Sequence, residues 1–235
     1  MCGEFSVLPD IIQHKPPTRM KPREFFIAWC GVATLAYRGF SRVLSEIKQE
    51  IQEKIPGIKH ENPGSRWPKT TLGALRDDVT LSWDDLDKLR RICDELNGEI
   101  GEYDKPLDVA KLSIVVFQCR SLEKRLLTFP VPLSGQHKHQ DDEPSPEHLA
   151  QVQETMACFS RDRLLEYWPH VQREGNRESH YRTTHIESTL VFDLKATTMP
   201  YVDLFMRKVD AQLPGRYCWF GRESRHLTVR ALVST

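Results

Sequence analysis

His226-Leu227-Thr228-Val229-Arg230-Ala231-Leu232 alternates and ends in apolar residues, so it reads as a strand. An earlier segment, Lys69-Thr70-Thr71-Leu72-Gly73-Ala74-Leu75, carries the same pattern: Thr, an aliphatic residue, Ala and Leu fall in one register. On a strand, positions i and i+2 share a face. His226 and Thr228 therefore point the same way, as do Lys69 and Thr71. Each segment follows an apolar strand, an amphipathic helix, a Pro-Gly stop and a polar loop. Pro56 lies 13 positions before Lys69, and Pro214 lies 12 before His226. Such a repeat predicts two similar lobes packed about a pseudo-two-fold axis, with these four side chains facing one another across a cleft.

Outward from these strands the chain is punctuated clearly. Phe25 to Trp29 is a short apolar run with aromatics, the pattern of a buried strand. Phe40, Val43, Leu44, Ile47, Ile51 and Ile55 recur at helical spacing, with Ser45, Glu46, Lys48, Glu50 and Lys54 opposite. Ser82-Trp83-Asp84-Asp85 resembles a capping box with Asp in place of Glu, opening a helix that buries Leu86, Leu89, Ile92, Cys93 and Leu96. Leu112 to Phe117 is the clearest strand. Ser145-Pro146 starts a helix carrying Leu149, Val152, Met156 and Phe159, with Leu164, Leu165 and Trp168 beyond. Thr189 to Leu194 reads as a strand, and Pro200 opens a helix through Leu213. The expected organisation is an irregular arm over 1–22, a first lobe over 23–133, an exposed linker over 134–146 and a second lobe over 147–235.

Lys and Arg total 33, Asp and Glu also 33, so the net charge is zero. That argues against a DNA-coating protein, which needs a basic excess to displace counterions, but leaves room for a local basic pocket. No window approaches the roughly 20 apolar residues that span a bilayer, and Met1-Cys2-Gly3-Glu4 opens no secretory pattern. The six cysteines form no C-x-x-C pair, so reduced thiols in the cytoplasm or nucleus are expected. No P-loop, dinucleotide-binding or nucleophile-elbow motif occurs.

An H-x-T on a strand that closes a β-α-β unit resembles the 2H phosphoesterase superfamily, which includes RNA 2′,3′-cyclic phosphodiesterases. The resemblance covers roughly 24–120 and 145–235. It implies an α+β, two-lobed, pseudo-symmetric fold, with antiparallel sheets lining a central groove and helices outside. It also implies metal-independent phosphodiester chemistry with no cofactor. In the family one histidine takes a proton from the nucleophile and another gives one to the leaving oxygen, because an imidazole titrates near neutral pH. Here His226-Leu227-Thr228 keeps the motif, but Lys69 stands where the family has its first histidine, and Thr71 keeps the threonine. A lysine titrates near ~10.4 and is a poor base at pH 7. It would serve instead as a charged clamp on a phosphate oxygen.

Three readings follow. The first is an enzyme acting on RNA ends or on cyclic or phosphorylated nucleotides, with His226 as acid or base, Lys69 as clamp, and Thr71 and Thr228 bonding the phosphate. The second is a catalytically silent homologue binding RNA, a nucleotide or a protein. The third is an unrelated α+β interaction domain. Arg66, Arg222, Arg225 and Arg230 flank the motifs and would supply a positive field, or else are solvated loop charges; Trp67, Trp219 and Tyr217 would stack a base, although aromatics so placed more often belong to the core. A monomer without membrane contact is expected. His185-Ile186-Glu187-Ser188 places His and Glu on alternate positions that would reach a cleft. Arg120 to Arg125 is either a charged turn or a basic wall. His137-Lys138-His139 with Asp141 and Asp142 is read as a solvated linker rather than a metal site.

Overall fold

Among the described residues ten strands and seven helices follow one another in the order α1 (Leu8–Gln13), β1 (Thr18–Met20), β2 (Pro22–Ile27), β3 (Ala33–Tyr37), α2 (Arg42–Lys54), β4 (Lys69–Leu75), α3 (Trp83–Ile100), β5 (Leu107–Val109), β6 (Lys111–Phe117), β7 (Arg125–Pro132), α4 (Pro146–Ala157), α5 (Leu164–Val171), α6 (Glu178–Arg182), β8 (Glu187–Asp193), α7 (Pro200–Gln212), β9 (Tyr217–Trp219) and β10 (His226–Val233). This computed structural model describes residues 6–61, 66–100, 105–136, 142–194 and 199–233. The chain is α+β, and every strand pair in its sheets is antiparallel. Among the described residues no helix is long and apolar enough to cross a membrane.

Two four-stranded sheets carry the fold, ordered β2-β3-β4-β9 and β10-β8-β6-β7. They meet where β4 runs beside β10. The two motif strands open alike: Lys69 is the first residue of β4 and pairs with Ala36 of β3, while His226 is the first residue of β10 and pairs with Asp193 of β8. Two residues on, Thr71 pairs with Thr34 and Thr228 with Val191. Each motif strand thus returns antiparallel to the strand before its helix, β3-α2-β4 and β8-α7-β10.

Local chemistry explains the elements that brace this junction. The Ser41 hydroxyl accepts the Leu44 N–H and starts α2, whose Val43, Leu44, Ile47 and Ile51 are buried. Ser82 and Asp85 cap α3 reciprocally: the Ser82 N–H donates to Asp85 Oδ2 at 2.9 Å and the Asp85 N–H to Ser82 Oγ at 3.1 Å. Asp therefore does what Glu usually does there. Ser145 accepts the His148 N–H and caps α4, with Pro146 at the first helical position. Behind the first sheet, α3 and α7 close the core, and the Phe25 ring stacks on Phe205 at 4.2 Å. Asn97 of α3 accepts the Phe25 N–H at 2.7 Å and so satisfies part of the open edge of β2.

Several expectations change. Residues 1–22 are not an irregular arm throughout: Leu8, Ile11 and Ile12 of α1 are buried against the core, and β1 pairs with β5. The period was hidden because α1 is only six residues long. The division into 23–133 and 147–235 does not follow the sheets. β6 and β7, from the first half, pair among themselves and with β8, and β9, from the second half, pairs with β4. A hairpin, β2-β3, also stands where a single strand was expected, turning at Cys30 and Gly31, both with positive φ. The described ends of the 134–146 stretch are tied down: the Ser134 and Gly135 N–H groups donate to Gln13 and Lys15, and the Glu143 carbonyl accepts from Arg42. Residues 137–141, with the His137-Lys138-His139 motif and Asp141, lie outside the described residues. Asp142 accepts a hydrogen bond from the Thr18 hydroxyl.

Candidate functional site

At the junction of the two sheets lies a cavity of about 500 Å³. Strand alternation delivers its floor: Thr71 comes from β4, and His226 and Thr228 come from β10. Phe117, Tyr181 and Phe220 provide apolar wall. The Tyr181 and Phe220 rings meet at 5.0 Å, and the Tyr181 hydroxyl is engaged with Thr71. The cavity brings together Lys59, Arg120 and Arg230 against one carboxylate, Glu187. A chain of zero net charge thus brings more cations than carboxylates to the lining of this cavity.

His226 is held by its own turn. The 3₁₀ turn Arg222–Ser224 directs the Ser224 carbonyl back at the ring, 2.7 Å from Nδ1. With the proton on Nδ1 donating to that carbonyl, Nε2 is left as the acceptor. Burial pushes the His226 pKa down to about 4, the Ser224 carbonyl opposes this, Arg125 lowers it further and Asp193 raises it. The imidazole is neutral at pH 7. Beneath it, Asp193 forms an ion pair with the enclosed Arg125 guanidinium at 2.7 Å and accepts a hydrogen bond from Ser113 at 2.7 Å.

The other expected residues are distributed unevenly. Arg230 lines the cavity: a register shift in β10 after Thr228 swings it, and its guanidinium donates to Gln52 at 2.8 Å and to the Lys59 carbonyl. Lys69 is not among the lining residues. Its ammonium lies 4.1 Å from the centroid of the Trp67 ring, and burial and Lys48 bring its pKa down to about 8, with Glu61 opposing. Cation–π contact and the hydrophobic surround hold it there rather than on the cavity wall. Arg225 points to α7, where it pairs with Asp203 at 2.9 Å. Arg66 lines a neighbouring cavity with Lys48, Glu61 and His148. That second cavity shares His60 and Arg230 with the first.

None of the three expected stacking aromatics lines the first cavity. Trp67 is buried edge-on to Phe26 at 5.6 Å. Tyr217 is buried with its hydroxyl on the Gly31 carbonyl, and Trp219 stacks on it at 5.0 Å. They sit before the motif strands, and Trp67 and Tyr217 belong to the hydrophobic core with Trp219 packed against it. Phe117, Tyr181 and Phe220 take that position instead.

A second constellation reaches the cavity through Arg120 and Glu187. Arg120 donates through Nε to His185 Nε2 at 3.2 Å, through Nη1 to His180 Nε2 at 3.0 Å, and through Nη2 to Glu187 Oε1 at 3.1 Å. The signal for His185 and Glu187 was their alternate spacing, and for Arg120 its place just after the clearest strand. His180 and Tyr181 gave no period, because α6 is only five residues long. Among the described residues, no group of three or more His, Cys, Asp or Glu side chains is arranged to hold a metal ion. Burial holds Cys93 up to about 12 and Cys218 up to about 11, so neither is a thiolate nucleophile at pH 7. Compared with known proteins, the chain matches no family model, no curated protein and no solved structure.

Proposed function

We propose that the chain is a 2H-like phosphodiesterase acting on RNA ends or on cyclic or phosphorylated nucleotides, with its two lobes meeting at the cavity just described. The observation that carries the reading is the convergence of Thr71 and the His226/Thr228 pair, from two different sheets, on one positively charged cavity. A neutral imidazole with Nε2 as acceptor is the form required of a general base. In hydrolysis of a 2′,3′-cyclic phosphate, water attacks phosphorus and its proton passes to His226 Nε2. The bond from phosphorus to one ribose oxygen breaks, and the protonated imidazole returns the proton to that oxygen. Thr71 and Thr228 donate hydrogen bonds to the non-bridging oxygens. The lining cations offset the charge that develops there. Lys69 acts from behind the wall through its field and not as a direct clamp.

A second reading shares this ligand and omits turnover. It is favoured by one observation: the position equivalent to His226 is a lysine whose ammonium rests on Trp67. Incubation with 2′,3′-cyclic nucleotides and with short RNAs ending in a cyclic phosphate separates the two. The enzyme reading predicts ring opening that falls at least a hundredfold in His226→Ala, the scale of general base loss. Turnover unchanged in that variant removes His226 from its role. Salt-sensitive binding without any turnover supports the silent module.

A further inference from the structure

The Arg120 guanidinium is oriented by three separate acceptors on three segments: His180 on α6, His185 in the turn before β8, and Glu187 on β8. Its backbone is fixed as well. The Gln118 N–H donates to Lys124 at 2.8 Å, the Gln118 carbonyl accepts from His185, and the Ser121 N–H donates to the Tyr181 carbonyl at 3.0 Å. Two residues on, Leu122 takes a left-handed φ of 57° and buries its side chain beside Val115, Phe117 and Val191. A bulky residue in that conformation persists only where its surroundings impose it. This loop is a rigid mount.

A guanidinium carries five N–H donors in one plane. The three bonds above use one on each nitrogen, so each terminal nitrogen retains a second N–H. Arg120 lines the cavity and its side chain is 37 % exposed there. Glu187, by contrast, is buried. Because an arginine only donates, His180 and His185 both meet it as acceptors, through unprotonated Nε2 atoms. Burial, Arg120 and His185 all hold the His180 pKa below its ordinary value.

We propose that Arg120 anchors the ligand's phosphate group, its two remaining terminal N–H donors gripping two non-bridging oxygens, and that Glu187, His180 and His185 are positioning residues that hold the guanidinium for it. A fork of this geometry matches a phosphate bidentately, as a lysine does not. The proposal rests on the reading that the cavity takes a phosphate ester. It names a residue outside the repeated motif as the main source of affinity.

Titrating the protein with inorganic phosphate and with adenosine 2′-monophosphate, followed by phosphorus NMR and calorimetry, tests it. The wild type binds the nucleotide, and Arg120→Gln weakens binding at least tenfold. Arg120→Lys, which keeps the charge and guards against a folding defect, recovers only part of the loss. His185→Gln, which still offers an acceptor to Arg120, stays within about threefold of wild type, and His185→Leu does not. Arg120→Gln or Arg120→Lys binding as tightly as wild type overturns the proposal, as does a wild type that binds neither probe. Failure of the enzyme reading looks different: Arg120-dependent binding persists, and cyclic nucleotides are not opened. Ring opening with an unchanged KM in Arg120→Gln overturns the anchor and leaves the enzyme reading standing.

Discussion

At the scale of the residue, His226 shows how burial sets protonation and protonation sets what a group can do. Its folded pKa of about 4 lies below the ordinary 6.5 of an unfolded histidine. Between those values the unfolded chain binds a proton that the folded chain refuses. Stability from this source is therefore present in full above pH 6.5 and is lost as the pH falls toward 4, at no more than about 1.4 kcal/mol per pH unit. Urea unfolding at pH 7 and pH 5 should show wild type losing more stability than His226→Gln over that interval. Equal losses in the two proteins would mean that the imidazole is not desolvated as described. The same chemistry explains why Lys69 was a fair candidate yet sits elsewhere. A lysine at the first position of β4 has a long stem, and its ammonium lies over the neighbouring Trp67 face.

At the scale of the element, capping and punctuation were legible because their physics is local. The capping box at Ser82, the cap at Ser145 and the strand Lys69–Leu75 need only neighbours in sequence, and all are formed. Ser82→Ala should lower stability by about 1 kcal/mol, since α3 then loses a partner for the Asp85 N–H; a change below about 0.3 kcal/mol in thermal or urea unfolding would contradict that assignment. What stayed hidden depends on contacts distant in sequence or on pieces too short to show a period. β7 carries Pro130 and Pro132, which a strand tolerates at a sheet edge, and β9 is three residues long. Of the cavity, the H-x-T pair and Thr71 were legible from alternation, and Arg120 only as one of two readings of a charged segment. What joins Arg120 to His180, and Ser121 to Tyr181, is a set of tertiary hydrogen bonds that no local pattern shows. Trp67 and Tyr217 were misplaced for the complementary reason: composition near a motif does not say which face a ring turns to.

At the scale of the whole molecule, the two halves of the chain are interlocked. β6 from the first half pairs with β8 from the second, and β9 from the second completes the sheet of the first. Residues 1–136 and 142–235 expressed apart should each fail to unfold cooperatively, and mixing them should restore a cooperative transition. Two independently cooperative halves would contradict the shared sheets. Within this interlocked arrangement β4 lies against β10, which brings Thr71, His226 and Thr228 to one cavity. Zero net charge acquires a sharper meaning in the same way, because the excess cations of the cavity are balanced by carboxylates spread over the rest of the fold.

The central claim is that this junction holds a phosphate ester, and a crystal structure of the protein with adenosine 2′-monophosphate measures it directly. The account predicts the phosphate at about 3 Å, hydrogen-bond distance, from His226 Nε2 and from the Thr71 and Thr228 hydroxyls. A nucleotide bound in the neighbouring cavity with Arg66 and His148, or on the outer faces of the sheets, would contradict it.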